Sequence, residues 1–172
     1  MMNSMNLLKM INKGKQDLFS IIIIVFLFLI SGCSPPSAVI EGEKNIYGSF
    51  KKWHRIAVVF DGPQADESPS TFRNYRLDVT FTSPSGIVYK VPGFFDGDGD
   101  AGNTSATSGN KWKARFTGGE EGEWTYSASF VTGENVAASL SGGEGGTYPD
   151  GASGTFTIGA QDKSGKDFRA KG

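Results

Sequence analysis

The chain has 172 residues, 18 acidic and 17 basic, with one cysteine (Cys33) and one histidine (His54). A net charge of −1 leaves no electrostatic footprint for nucleic acid; one cysteine forms no internal disulfide, and one His with one Cys builds no His/Cys zinc site. At 38% hydrophobic and 12% aromatic the composition is that of one globular domain, and its 24 glycines call for many turns and short strands.

The first segment reads as an address. Lys9, Lys13 and Lys15 precede Asp17 and an apolar run from Leu18 to Ile30 broken only by Ser20. A basic leader with an apolar region of this length indicates a secretory signal, since a spanning helix needs about 20 apolar residues. The run ends in Ile30-Ser31-Gly32-Cys33, which resembles the bacterial lipobox. That resemblance implies cleavage before Cys33, lipidation of its thiol, export, and attachment to a membrane of the cell envelope. Ser34, rather than Asp, points to the outer membrane where there are two. An uncleaved anchor with an incidental cysteine is the competing reading, and it also leaves the rest of the chain outside the cytoplasm. Residues 1–32 are thus a lipoprotein signal-peptide helix. Residues 33–44 are the lipidated Cys33 and a Pro- and Ser-containing flexible tether.

From Asn45 onward the pattern is that of strands. Arg55 to Phe60 is nearly continuously apolar, as in a strand covered on both faces. Arg76 to Thr82 alternates, with Leu77, Val79 and Phe81 on one face. Ser83-Pro84-Ser85-Gly86 is turn chemistry, and Ile87 to Val91 returns until Pro92-Gly93. Lys111 to Phe116 alternates with Trp112, Ala114 and Phe116 inward and Lys111, Lys113 and Arg115 outward. After Thr117 to Gly122, Glu123 to Val131 places Trp124, Tyr126, Ala128 and Phe130 on one face, and Gly154 to Ile158 is a last strand. Parity then predicts a hairpin with Phe116 opposite Trp124, Ala114 opposite Tyr126 and Trp112 opposite Ala128, leaving Arg115 facing Thr125. The fold class is all-β: an immunoglobulin-like antiparallel β-sandwich of about seven or eight strands over residues 45–159.

Five strings carry a family resemblance: Phe60-Asp61-Gly62-Pro63, Phe81-Thr82-Ser83-Pro84-Ser85-Gly86, the run Val91 to Gly99 (VPGFFDGDG), Trp112 to Phe116 (WKARF) and Glu121 to Tyr126 (EGEWTY). In this order they resemble a domain of unknown function at the N-terminus of bacterial glycoside hydrolases, often ahead of an apiosidase-like (β/α)8 barrel. The resemblance covers roughly Tyr47 to Ile158 and implies an immunoglobulin-like sandwich. Residues 160–172 then read as a linker toward a downstream catalytic domain; a barrel needs about 250 residues, so none is present in this chain. The implied role is a non-catalytic accessory domain that spaces, supports or binds polysaccharide, with the membrane reached through Cys33. A stand-alone adhesin-like lipoprotein is the alternative, and a glycan-cleaving enzyme the third reading.

Candidate sites are few. Gly97 to Gly102 fits G-x-G-x-x-G, but no helical pattern follows and Asp96, Asp98 and Asp100 would repel a phosphate. These three carboxylates at alternate positions also resemble the start of a calcium loop. Ala101 stands where the loop pattern has Gly and Thr107 where it has Glu, which favours an Asp-stabilised turn. Glu120, Glu121 and Glu123 could supply a carboxylate pair, although turn residues of this kind are commonly solvated. His54 has no nucleophile beside it and reads as a packing or surface residue. Trp112 and Trp124 belong to the core face, whereas Trp53 shares parity with Arg55, Ala57 and Val59, a face suited to a neighbouring domain. Asn103-Thr104-Ser105 fits a glycosylation sequon, discounted by the bacterial lipobox. The expectation is no catalytic residue and no cofactor, with calcium at Asp96, Asp98 and Asp100 the single metal candidate.

Overall fold

A computed structural model describes residues 45–139 and 141–172. Residues 1–44, read above as signal peptide, Cys33 and tether, lie outside the described residues. Among the described residues eight strands form two four-stranded antiparallel sheets. They are β1 (Ile46–Gly48), β2 (Arg55–Asp66), β3 (Tyr75–Thr82), β4 (Val88–Pro92), β5 (Phe94–Phe95), β6 (Ser108–Thr117), β7 (Gly122–Thr132) and β8 (Ser153–Ile158). The first sheet runs β1-β2-β6-β5 and the second β4-β3-β7-β8. This is the immunoglobulin arrangement, strands ABED against CFG with one additional strand beside the third.

Alternation sets the inner faces. Ile56, Val58 and Phe60 point inward from β2, and Trp112, Ala114 and Phe116 from β6. Facing them are Leu77, Val79 and Phe81 from β3, and Trp124, Tyr126, Ala128 and Phe130 from β7, all buried. Rings interlock between the sheets. Phe81 stacks on Phe116 with centroids 4.3 Å apart, and Trp112 meets Phe130 edge-on at 4.9 Å. Each buried indole donates its N–H to a carbonyl, Trp112 to Pro63 and Trp124 to Glu120, both at 3.1 Å. Burying an indole leaves its donor needing such a partner.

The expected hairpin between the two tryptophan strands does not form. Phe116 pairs with Ile56 and Trp124 with Phe156, so β6 and β7 lie in opposite sheets. Arg115 accordingly stands beside Ala57, not Thr125. Parity reported the faces correctly but could not report the sheet, because a crossing connection also turns both apolar faces to one core. Phe116 and Trp124 do touch, centroids 5.0 Å apart, across the sandwich rather than along it. Gly118 lets the connection cross here, since a Cβ would collide with Ile158.

Three further features depart from the pattern. The outer face of β2 is only half covered, with Ala57 and Val59 partly exposed and Arg55 exposed, so the strand is not buried on both sides. It also runs to Asp66, past a register shift between Asp61 and Ala65 that absorbs Gly62-Pro63. Among the described residues two short α-helices occur: α1 (Pro69–Asn74), capped by Ser68, which accepts from the Thr71 amide at 3.2 Å, and α2 (Ala101–Thr104). Residues 159–172 return to the corner at Phe50–His54. Gly159 donates to the Phe50 carbonyl at 2.8 Å and accepts from Lys52 at 3.1 Å.

Candidate functional site: the outer face of the first sheet

Because β2 and β6 are the two inner strands of their sheet, their outward side chains line up in rows. Arg55 stands beside Thr117. Tyr47, Ala57 and Arg115 form the next row, then Val59, Lys113 and Phe94, then Asp61 and Lys111. Small side chains on β2 between long ones on β1 and β6, with the loop from Asp96 to Asn103, make a trough of about 730 Å³ with Ala57 and Val59 as its floor. Along β2 from Arg55 to Asp61 it runs about 20 Å, at roughly 3.3 Å per residue. Tyr47, 56% exposed, forms one wall. Gly48, Arg55 and Arg115 also line an adjoining cavity of about 660 Å³ that contains Trp53 and Phe168, so the two cavities meet at the arginines.

The trough has two electrostatic ends. At one, Lys111 pairs with Asp61, and Asp98 and Asp100 stand exposed. At the other, Arg115 holds its guanidinium 5.1 Å from the centroid of the Phe94 ring, and Arg55 is exposed. Neither arginine forms an ion pair among the described residues. In the adjoining cavity Arg169 is neutralised by Asp167, with contacts of 3.0 and 2.7 Å.

The three aspartates of the calcium pattern go to separate partners. Asp96 is buried in an ion pair with Lys113, whose ammonium contacts Oδ2 without hydrogen-bond alignment and also donates to the Gly99 carbonyl. Asp98 accepts from the Asp100 amide at 2.8 Å, which holds its carboxyl below the usual range. Asp100 accepts from the Asn103 side chain at 2.8 Å. Among the described residues no group of three His, Cys, Asp or Glu is placed to share a cation. Lys113 is outward by parity yet buried, because the loop carrying Asp96 and Gly99 folds over it. A one-turn helix of four residues, Ala101–Thr104, begins inside the Gly97–Gly102 segment.

Glu120 accepts from the Ser85 hydroxyl at 2.9 Å and the Ser85 amide at 3.2 Å, tying two turns together; these bonds, the hydroxyl foremost, lower its pKa. Glu121 and Glu123 are exposed. His54 is buried and donates Nε2–H to Asp162 at 2.7 Å, and Lys51 reaches the same carboxylate at 3.2 Å. Desolvation would raise the Asp162 pKa, but these two hydrogen bonds and the Lys163 and Lys51 charges hold it at about 2. Trp53 sits half-buried between Gly119 and Gly172 in a left-handed backbone conformation, φ 64°. Sequence reasoning noted the Arg55, Ala57, Val59 face but missed Tyr47 and Phe94. Their strands have three and two residues, too few to show a period.

No curated protein matches the chain. A solved structure described as a "putative glycoside hydrolase" from Bacteroides vulgatus is similar at 24% identity and a TM-score of 0.41, the similarity covering 67% of this chain. The chain spans 16% of that protein's length. Residues 49–131, which contain all five strings singled out in the sequence, match the family model for a domain of unknown function, DUF5060.

Proposed function

We propose that this domain is a non-catalytic accessory module that binds polysaccharide along the outer face of its first sheet, carried outside the bacterial cell by a lipid on Cys33. The observation that carries the reading is the trough itself. Its small apolar floor and the exposed Tyr47 ring suit the C–H faces of sugar rings. Arg55, Arg115, Asp98 and Asp100 at the rim suit hydroxyl groups as donors and acceptors. Of the three carboxylates considered for hydrolysis, Glu120 is engaged in joining two turns, which supports a binding role over a catalytic one.

Affinity electrophoresis of the full chain, purified in detergent, against a panel of polysaccharides tests this. Retardation by at least one polymer without release of reducing ends is expected. Tyr47→Ala should weaken it about fivefold to tenfold, the scale of an aromatic contact. Retardation unchanged by Tyr47→Ala would remove the trough from the account, and sugar release lost on Glu-to-Gln changes would establish an enzyme instead.

A further inference from the structure

We propose that the polysaccharide bound in the trough carries a sparse oxyanion, a carboxylate or a sulfate ester on a sugar, and that Arg55 and Arg115 seat it. The inference rests on the binding role just proposed and adds the class of ligand.

The argument begins with where charge is left over. Four cations line the trough: Arg55, Lys111, Lys113 and Arg115. Lys111 is committed to Asp61 and Lys113 to Asp96. Arg55 and Arg115 are both exposed, and no carboxylate among the described residues pairs with either. They lie on adjacent, hydrogen-bonded strands, Arg115 beside Ala57 and Arg55 two residues along, so they are diagonal neighbours on one face. Such positions are about 7–8 Å apart, within joint reach of one ligand group for side chains of this length. Guanidinium groups present planar forks that match carboxylate and sulfate geometry, and such bonds are roughly twice as strong as neutral ones. The Phe94 ring beneath Arg115 holds that fork in place without neutralising it.

The opposite end decides how dense the ligand's charge can be. Asp98 and Asp100 stand exposed beside Lys111 and Lys113, further along the trough from the arginine pair, where a polymer charged at every repeat would be repelled. A nucleic acid is such a polymer, and a net charge of −1 offers no compensating field. A neutral sugar chain with an occasional acidic group meets both ends favourably, its oxyanion at the arginines and its hydroxyls at the aspartates.

One backbone with different charges makes the test: dextran, sparsely carboxymethylated dextran, sparsely sulfated dextran, and duplex DNA, titrated against the full chain at two salt concentrations. At least one sparsely charged dextran should bind about tenfold or more tightly than dextran, the carboxymethylated and sulfated arms identifying the oxyanion. Arg55→Gln and Arg115→Gln should each remove about tenfold of that preference, Arg→Lys should keep part of it, and higher salt should weaken it. Both side chains are exposed, so unchanged melting temperatures establish that the variants fold. Equal binding of neutral and charged dextrans would overturn this proposal while leaving polysaccharide binding intact, as would a preference untouched by the Arg→Gln changes or tighter binding of DNA. If no dextran binds but a neutral polysaccharide from the panel does, the oxyanion is likewise refuted. Failure of every polysaccharide, charged or neutral, would overturn both readings.

Discussion

The ion pair between Asp96 and Lys113 offers the sharpest test of the architecture around the trough. Their side chains are 7% and 10% exposed. Removing one partner leaves a buried charge uncompensated, which costs about 3–5 kcal/mol, whereas removing both charges leaves neither to be desolvated. Lys113→Met should therefore lower the melting temperature by about 12–20 °C, taking roughly 4 °C per kcal/mol for a domain of this size. It also frees the Gly99 carbonyl, and with it the loop from Asp96 to Thr104 that Lys113 holds. Adding Asp96→Asn to Lys113→Met should recover more than half of the loss, because the neutral amide costs less to bury than a carboxylate. Chemical denaturation of the four proteins in the double-mutant cycle gives the coupling, expected above about 2 kcal/mol. Single variants within 1 kcal/mol of the native protein, or losses that simply add, would mean that solvent reaches the pair.

Two other outcomes can be measured on the same protein. Asp162 has a folded pKa of about 2 against an ordinary 3.8, so its contribution to stability is complete above pH 4 and is lost as the pH falls from about 4 to 2. Asp162→Asn should flatten the stability profile in that window and speed proteolysis after Gly159, whereas an unchanged profile would show that the carboxylate does not hold the segment. Calcium at millimolar concentration should leave the melting temperature where a chelator leaves it, since Asp96, Asp98 and Asp100 are turned to three different partners; a rise of several degrees would show that the loop rearranges around the ion.

The fold was legible wherever a strand was long enough to alternate. Leu77 to Phe81, Trp112 to Phe116 and Trp124 to Phe130 each announced a buried face, and each face is buried. Strand partners were not legible. The parity that puts Phe116 and Trp124 on one side is satisfied equally by a hairpin and by a crossing between sheets, and the choice is made by long-range pairing of β6 with β2 and β7 with β8. Local signals also failed where tertiary structure reverses them. Lys113 reads as a solvated outward residue, yet a loop some 15 residues upstream covers it and supplies its counter-charge. The helix α1 was not read at all, since six residues are too few to show a period.

That division explains why the candidate site is illegible in one dimension. A sandwich commits its inner faces to packing, so a groove built on a sheet uses an outer face. On the β7 and β8 part of the second sheet Thr125, Ser127, Ser129, Thr155 and Thr157 are exposed and polar, a surface that water solvates well. On the first, Ala57 and Val59 lie between Tyr47 on one neighbouring strand and Arg115 and Lys113 on the other. Depth there arises from side-chain size across strands, with small residues on the central strand and long ones beside it. Nothing along β2 alone distinguishes that floor from a strand covered on both faces. The same residues produce either pattern, and only the partners contributed by β1, β6 and the loop from Asp96 to Asn103, three separate stretches of the chain, turn an apolar run into the base of a groove.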